Sequence, residues 1–598
     1  MEWGQELRAS AIWLAWAWGI SLCGGGLAVL ALARFSEWGR QFRRISGDYF
    51  ALRRSVRPFL WLAAIVFMTL FSVRLNILVS YWYNGFYSAM QALDGEAFWR
   101  MLVVFSVLAT IHVLRSLADF YLRQAFMIHW RIWLTDVLLT RWFDRQAYYR
   151  GRFVAAPADN PDQRIQQDVD SVVSGALSLA MGLLDAVVSL QAFTLILWGL
   201  SGTLEAFGYE IPRAMVFAVY AYILISTVFA LKIGRPLIHL SFINEQRLAD
   251  FRYALVRLRE YAESVAFYRG EAVEKTRLVD RFRAVIANVW AIVFRSLKFQ
   301  GFNLAVSQAA VVFPFIIQAP RLLSGQITLG DVMQTSQAFG QVGDALSFIR
   351  SSYDTFTGWR ASVNRLAGFI DAADAAAALP APQTASDPER LSVAALDVRT
   401  PDGAPLVAGL ALTLGAGESL LIRGASGIGK TTLLRALAGL WPYAEGRVAR
   451  PFGEAALFLS QKPYLPLGTL REALYYPAPA QPGEAAAEAL RACQLAHLTG
   501  ALDEAADWSQ RLSLGEQQRL AIGRVLLNRP RLVFLDEASS AMDEGLEYAM
   551  YDLLRAALPD AIMVSVGHRG TLLRFHARQL ELQGGGRWTL GHTDAPAA

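Results

Sequence analysis

Leu420–Thr432 reads LLIRGASGIGKTT: an apolar run, a loop holding three glycines, and a Lys-Thr-Thr that opens the helix-like stretch TLLRALAGL. A G-x-x-x-x-G-K-[S/T] loop between a strand and a helix lets backbone N–H groups close around phosphate oxygens at a helix N-terminus. Gly424, Ser426, Gly427 and Gly429 form that loop. Lys430 supplies a point charge for the β- and γ-phosphates, and the Thr431 hydroxyl, with Thr432 beside it, is placed to ligate Mg²⁺. The ligand this predicts is a nucleoside triphosphate with its magnesium.

About eighty residues further on comes Leu512–Gln518, LSLGEQQ, and about twenty after that Arg531–Glu537, RLVFLDE, an apolar strand ending in two carboxylates. Asp536 is placed to hold Mg²⁺, and Glu537 to act as general base on an attacking water, the plain alternative being a solvated residue at a strand end. Gln461 ends the apolar run LFLS, His568 closes the strand IMVSVGH, and Ser540-Ala-Met-Asp543 follows the acidic strand. Together these motifs resemble the ATP-binding cassette (ABC) family. The resemblance implies ATP hydrolysis with Glu537 and His568 catalytic, and a metal held by Thr431, Gln461 and Asp536. It also implies that Ser513, Gly515 and Glu516 cap ATP bound to another copy of the domain, near Asp543. One copy per chain then implies a homodimer. Two positions depart from the family pattern: Leu514 stands where glycine is commonest, and no aromatic residue lies near Thr400–Gly403 to stack on adenine. The site is expected to grip phosphates well and adenine loosely.

Apolar residues make up 54% of the 598-residue chain and charged residues 18%, below the roughly 25% usual for soluble proteins. Membrane spans are expected. The net charge of +5 is small, so the placement of the arginines matters more than their excess, and no nucleic-acid partner is expected. Cys23 and Cys493 are read as free thiols. Apolar runs lie at about 11–33, 58–80, 98–122, 172–200, 213–234, 296–319 and 330–350. Several reach the roughly 20 residues needed to span a bilayer. Segments 34–57, 123–170 and 232–295 are arginine-rich, whereas 81–97 and 201–212 are not, which places the basic segments in the cytoplasm. Run 11–33 lacks a basic N-terminal flank, so it reads as a retained helix rather than a signal peptide, with a membrane-surface elbow as the alternative. The expected organisation is 1–57, an N-terminal membrane helix and basic segment; 58–370, the transmembrane domain; 371–390, an Ala/Pro-rich linker; and 391–598, the nucleotide-binding domain. The fold class is a membrane α-helical bundle of the exporter type, six core helices plus one N-terminal helix, fused to an α/β P-loop domain.

Charged side chains inside spans are costly and mark either pairs or a wet cavity. His112, Arg115 and Asp119 share one helical stripe, Ser171, Ser174, Ser178, Gly182, Asp185 and Ser189 another, and Gln334, Gln337, Gln341 and Asp344 a third, with Arg74 on a separate run. Three such stripes converge most simply on a water-filled interior for hydrophilic cargo, the alternative being interhelical glue. The segments 160–168 and 251–259 are polar and amphipathic, as expected of helices that transmit closure of the ATPase. NPDQRIQQDVD, FRYALVRLRE, AFYRGE, the region Ser347–Tyr353 and LPLGTL resemble the fused permease–ATPase branch related to SbmA/BacA peptide transporters and peroxisomal ABCD half-transporters. Within it, the chain is similar to mycobacterial importers of vitamin B12 and of antimicrobial peptides such as bleomycin. That resemblance implies import of hydrophilic solutes or peptides across a bacterial cytoplasmic (inner) membrane. Competing readings are an exporter of lipids, acyl compounds or drugs, and a non-transporting regulatory membrane ATPase.

Overall fold

The computed structural model describes residues 3–157, 159–202, 204–206 and 209–593. Parts of the loop expected at 201–212 and the last residues of the expected nucleotide-binding domain lie outside these. The chain forms two compact units, Met1–Leu139 with Asn160–Ile370, and Thr140–Asp159 with Asp371–Ala598.

The first unit is helical: α1 (Trp3–Phe35), α2 (Glu37–Ser46), α3 (Arg57–Gln91), α4 (Gly95–Phe143, up to Leu139), α5 (Val169–Leu200), α6 (Ala214–Glu260), α7 (Glu271–Leu323), α8 (Leu329–Ser351) and α9 (Tyr353–Ala378, up to Ile370). Among the described residues, six helical stretches are long and apolar enough to cross a membrane, those containing α1 and α3 to α7. The seventh expected span, α8, is a 23-residue helix too polar to join them by composition. The stripe Gln334, Gln337, Gln341 and Asp344 is the reason. α8 is nonetheless an inner helix. It begins with a capping box between Thr328 and Asp331. Gly330 then lets it cross α3 closely, since a Cβ there would lie 2.1 Å from the Asn84 carbonyl oxygen. The buried core of the unit joins Val73 and Ile77 of α3, Phe193 and Leu197 of α5, Val219 of α6, and Ala338, Phe339 and Val342 of α8. Outer helices instead carry exposed Leu, Ile, Val and Trp, such as Ile12, Trp16 and Leu30 of α1. That is the distribution a lipid solvent allows.

The second unit is built on strands β1 (Gln383–Ser386), β2 (Leu391–Arg399), β3 (Pro405–Leu414), β4 (Ser419–Arg423), β5 (Ala444–Arg450), β6 (Ala456–Leu459), β7 (Leu532–Asp536), β8 (Ile562–Val566), β9 (Arg578–Gly584) and β10 (Arg587–His592). A six-stranded sheet has the order β10-β9-β4-β8-β7-β6, parallel except for β10. A four-stranded sheet has the order β1-β5-β2-β3. The period-2 alternation of strands divides the larger sheet between two cores. Leu421, Val533, Leu535 and Met563 face a helical cluster with Leu474, Leu490, Leu520 and Val525. Leu420, Ile422, Phe534 and Val564 face the smaller sheet and Leu433.

Two expectations need correction. Residues 371–390 are no free linker: α9 runs on through the alanine-rich stretch to Ala378, as alanine's helix propensity allows, and Gln383–Ser386 pairs in parallel with β5. Thr140–Asp159, expected within 58–370, groups instead with the ATPase unit, whereas 160–168 and 251–259 stay in the helical unit as those bounds have it. Within the second unit, Arg150 donates to the Leu379 and Pro380 carbonyls, Ala147 packs with Ala373 and Ala376, and Phe153 meets Trp441 at 5.1 Å, edge on. Residues 160–168 are held by Asp168, which binds Arg164 at 3.0 Å and Arg365 at 2.5 and 2.9 Å.

His576 is 2% exposed, set between the Leu572 carbonyl (2.7 Å) and the Ser565 hydroxyl (2.8 Å). Burial depresses its pKa from 6.5 to about 4. An imidazole released by unfolding takes up a proton near pH 6.5, whereas the folded one does not until about pH 4. Its contribution is therefore complete above pH 6.5 and is lost as pH falls towards 4, by at most about 3 kcal/mol. Denaturation midpoints of the full chain measured across this range should fall more steeply for wild type than for His576→Gln.

Candidate nucleotide site and membrane cavity

The carboxyl ends of β4, β8, β7 and β6 lie side by side, and in parallel sheets ligands bind at such ends. β4 leads into the glycine loop and helix α10 (Lys430–Leu437), β8 ends before His568, β7 ends at Asp536-Glu537, and β6 precedes Gln461. Strand order alone thus gathers residues more than a hundred positions apart. Gly424, Gly427 and Gly429 all have positive φ, of 145°, 78° and 110°. At Gly424 a Cβ would lie 2.8 Å from the Leu582 carbonyl oxygen, so no larger residue fits the loop. Lys430 is 6% exposed and its Nζ donates to the Gly424 and Ala425 carbonyls, both at 3.0 Å, which holds the ammonium inside the loop. Ser426 is exposed at the loop's tip and Thr432 is half-buried.

The Thr431 hydroxyl donates to Asp536 Oδ1 at 3.1 Å. Burial raises the Asp536 pKa, the Thr431 bond opposes this, and the Glu537 charge adds to the rise. A hydroxyl and a carboxylate oxygen side by side are hard ligands of the kind Mg²⁺ takes, and the ion bound with ATP would neutralise phosphate charge. Glu537 sits at φ 51°, a conformation uncommon for a non-glycine residue and found at functional sites. Its N–H donates to the Val566 carbonyl at 3.1 Å, and its Oε1 lies 3.7 Å from His568 Nε2. The two are thus brought together in one chain.

Ser513 caps helix α11 (Leu514–Asn528) in a capping box: its hydroxyl and N–H both donate to Glu516 Oε2, at 2.7 and 2.9 Å. Glu516 Oε1 faces His497 at 3.1 Å. The Ser513 bond, ahead of His497, holds the Glu516 carboxyl below its ordinary range. Glu516, expected to touch ATP, therefore has both oxygens engaged within its own chain, where it orients Ser513. Asp543 is likewise engaged, capping helix α12 (Glu544–Ala557) by accepting from the Leu546 N–H at 2.8 Å. Leu514 stays on the surface at 39% exposure. Gly515 lies under the Ala541 carbonyl, 3.0 Å from where a Cβ would sit. Gln461 presents its side chain to solvent.

Gln518 is a site residue that the motifs do not mark. It is fully buried, and its Nε2 donates to the Gln461 carbonyl (2.8 Å) and Ser540 Oγ (3.1 Å) while its Oε1 accepts from the Ala541 N–H (3.0 Å). One side chain thereby ties the LSLGEQQ helix to the Gln461 loop and the Ser540–Asp543 loop. Arg569, next to His568, donates to the Met542 carbonyl at 2.7 Å. The available signal was a second glutamine on the buried side of a helix, a pattern local spacing does not distinguish from a surface residue. Near Thr400, the Trp441 ring is bonded to the Arg399 carbonyl at 2.8 Å and is buried against Phe153.

In the helical unit, a cavity of about 480 Å³ lies between α3, α4 and α5. Arg115, Asp119, Arg123, Ser178 and Asp185 are among its lining residues. Arg123 binds both oxygens of Asp119 at 2.8 Å and Thr69 Oγ1 at 2.8 Å, and Arg115 reaches the Met68 carbonyl at 3.2 Å. Two of the three expected stripes supply lining residues, and the other candidates go elsewhere. Arg74 binds Ser10 Oγ at 2.8 Å and Glu6 at 3.2 Å, so its charge holds α1 to α3 instead of lining a cavity. His112 is exposed on α4 and does not line this cavity. Gln334 accepts from Asn84 at 2.9 Å, between α3 and α8. Gln337 has a buried Oε1 without a hydrogen-bond partner among the described residues, Gln341 is half-buried, and Asp344 is exposed, none of them lining this cavity.

Gln518→Ala should remove the side-chain bonds to the Gln461 carbonyl, Ser540 Oγ and the Ala541 N–H, at a cost of roughly 0.5–1.5 kcal/mol for each. It should lower ATP turnover, measured by steady-state phosphate release. Turnover equal to wild type would remove the tethering role.

Residues 46–323 match the description ABC transporter transmembrane region 2, and 407–540 match ABC transporter. An ABC transporter ATP-binding protein of Haemophilus influenzae is 47% identical over 98% of this chain and 100% of its own length. The inner membrane ABC transporter ATP-binding protein YddA of Escherichia coli is 30% identical, covering 87% of this chain and 93% of its own. The human lysosomal cobalamin transporter ABCD4 is 29% identical, covering 85% and 88%. The solved structure of a bacterial Atm1-family ABC exporter with ATP bound shares the fold, with a TM-score of 0.68 over 90% of this chain and 96% of that one at 18% identity. The chain belongs to the ABC transporters: it is an ATP-hydrolysing, multi-pass membrane transporter with its transmembrane and ATPase regions fused in one polypeptide and relatives in the ABCD group.

Proposed function

We propose that this transporter imports hydrophilic solutes, cobalamin-like compounds and peptides such as bleomycin among them, as a homodimer in a bacterial cytoplasmic membrane. The observation that carries the reading is the charged cavity of Arg115, Asp119, Arg123 and Asp185 within otherwise apolar helices. Four ionisable groups facing a cavity of this size suit a polar cargo, since a lipid or apolar drug would leave them desolvated. The cobalamin transporter ABCD4 among the relatives supports that cargo class, and YddA supports an inner-membrane location. The fold shared with an Atm1-family exporter is compatible with outward transport, so direction belongs to the test.

In this reading Lys430 and the loop glycines hold the ATP phosphates, and Thr431, Asp536 and Gln461 hold Mg²⁺. Glu537 takes the proton of the attacking water, and His568, 3.7 Å away, contacts the γ-phosphate. Ser513 and Gly515 close over Lys430 of a second copy, since one chain carries one of each motif.

Proteoliposomes holding the protein should take up labelled cobalamin from the side opposite the ATPase region when ATP is supplied. Glu537→Gln should lower hydrolysis roughly 10²–10⁴-fold and abolish uptake while nucleotide binding persists. Asp185→Leu should reduce uptake without altering ATP affinity. Movement only towards the opposite side, or of lipid probes only, would replace this reading by an exporter.

A further inference from the structure

We propose that α2 and the turn after it, Arg40 to Arg57, form a site for the phosphate headgroups of anionic phospholipids, and that lipid bound there acts on α9 through Trp38 and Phe42. α2 has two faces of opposite character. On the inner face, Trp38 meets Trp359 and Phe356 of α9 at 5.4 and 5.7 Å, and Phe42 meets Trp359 at 5.5 Å and Trp130 of α4 at 6.0 Å. Gln41 donates to Asn364 of α9 at 3.0 Å. Trp359 is itself fixed, donating to the Val172 carbonyl at 3.1 Å. On the outer face and in the following turn, Arg40, Arg43, Arg53 and Arg57 are exposed, and the acidic residues near them are Glu37 and Asp48, the latter 3.4 Å from Arg54.

The depth of this surface is marked by apolar side chains. Phe35, Leu52, Val56 and Leu60 are 80%, 67%, 54% and 63% exposed, flanking the arginines along the chain. Such side chains are unfavourable in water but are what a segment at the boundary of hydrocarbon and headgroups carries. Arginine clusters beside a membrane helix attract anionic lipid. Orientation by positive charge alone needs only a count of basic residues near a span. It does not need a capped amphipathic helix pinned by four aromatic contacts. The pinning has a destination, because α9 continues past Ile370, where the ATPase unit begins. This inference uses the membrane embedding of the family and not the cargo or the direction of transport.

The test uses the full chain in phosphatidylcholine proteoliposomes with nitroxide-labelled phosphatidylglycerol or phosphatidylcholine as probes, reading the immobilised fraction by electron spin resonance. Wild type should prefer phosphatidylglycerol by about threefold or more. Arg40→Gln with Arg43→Gln, Arg53→Gln and Arg57→Gln should bring the ratio towards one, and the matching lysine variant should retain it, which separates charge recognition from misfolding. Phosphatidylglycerol should change the ATPase rate of wild type, and Trp38→Ala should lose that response while keeping the lipid preference. A wild-type ratio of one, a ratio unchanged by the glutamine substitutions, or a preference abolished by excess soluble glycerol phosphate would overturn the lipid site. An undiminished ATPase response in Trp38→Ala would overturn its action on α9.

Discussion

The Thr431 hydroxyl can reach Asp536 because a single strand, β8, separates their strands in a parallel sheet. β8 ends between them and leads to His568, whose Nε2 lies 3.7 Å from Glu537 Oε1. Reversing any one of the strands β4, β7 or β8 would carry its loop to the far edge of the sheet and dismantle the site. The hydrophobic cores on the two faces therefore do more than stabilise the unit. By alternating Leu421 against Leu420 and Ile422, and Val533 against Phe534, they hold the strands in the register that aligns their ends. Burial there raises the Asp536 pKa, with the Thr431 bond opposing it and the Glu537 charge adding to it.

A second set of constraints governs the helical unit, where the solvent around the outer helices is hydrocarbon. A charge there must be paired or wet. Arg74 takes the first course, anchoring α1 through Glu6 and Ser10, with the Trp13 ring 5.9 Å from its guanidinium. Arg123 and Asp119 pair with each other at the wall of the cavity, and Arg115 and Asp185 take the second course, facing that cavity. The same residue types on the same kind of helix thus serve two ends, and the neighbouring helix decides which. Polar contacts from Asn84 to Asp331 and Gln334 join the apolar core in making α8 an inner helix, although its composition leaves it outside the six long apolar stretches.

Within the ATPase unit, several residues with a recognisable motif position have their side chains committed locally. Glu516 and Asp543 cap helices, and Gln518, outside the expected set, makes the long-range bonds. Helix caps are common uses for Asp and Glu, so a motif's acidic residues can shape the site without touching its ligand. The alanine-rich 371–378 stretch shows the converse. Read as a linker from its lack of amphipathic pattern, it extends a helix, because Ala376 is buried against Ala147 and alanine asks for no wider space.

The sequence by itself determined the elements with strong local signals: the glycine loop, the acidic strand end, the apolar helices and the basic segments between them. These depend on backbone freedom, on periodicity and on transfer free energy, all of which are properties of a residue and its near neighbours. It took the tertiary structure to decide that Arg74 pairs with Glu6, that His112 lies off the cavity, that Thr140–Asp159 folds with the ATPase unit and that Gln518 joins three motifs. Each of those outcomes turns on which distant group lies within about 3 Å, and spacing along a chain carries no information about that.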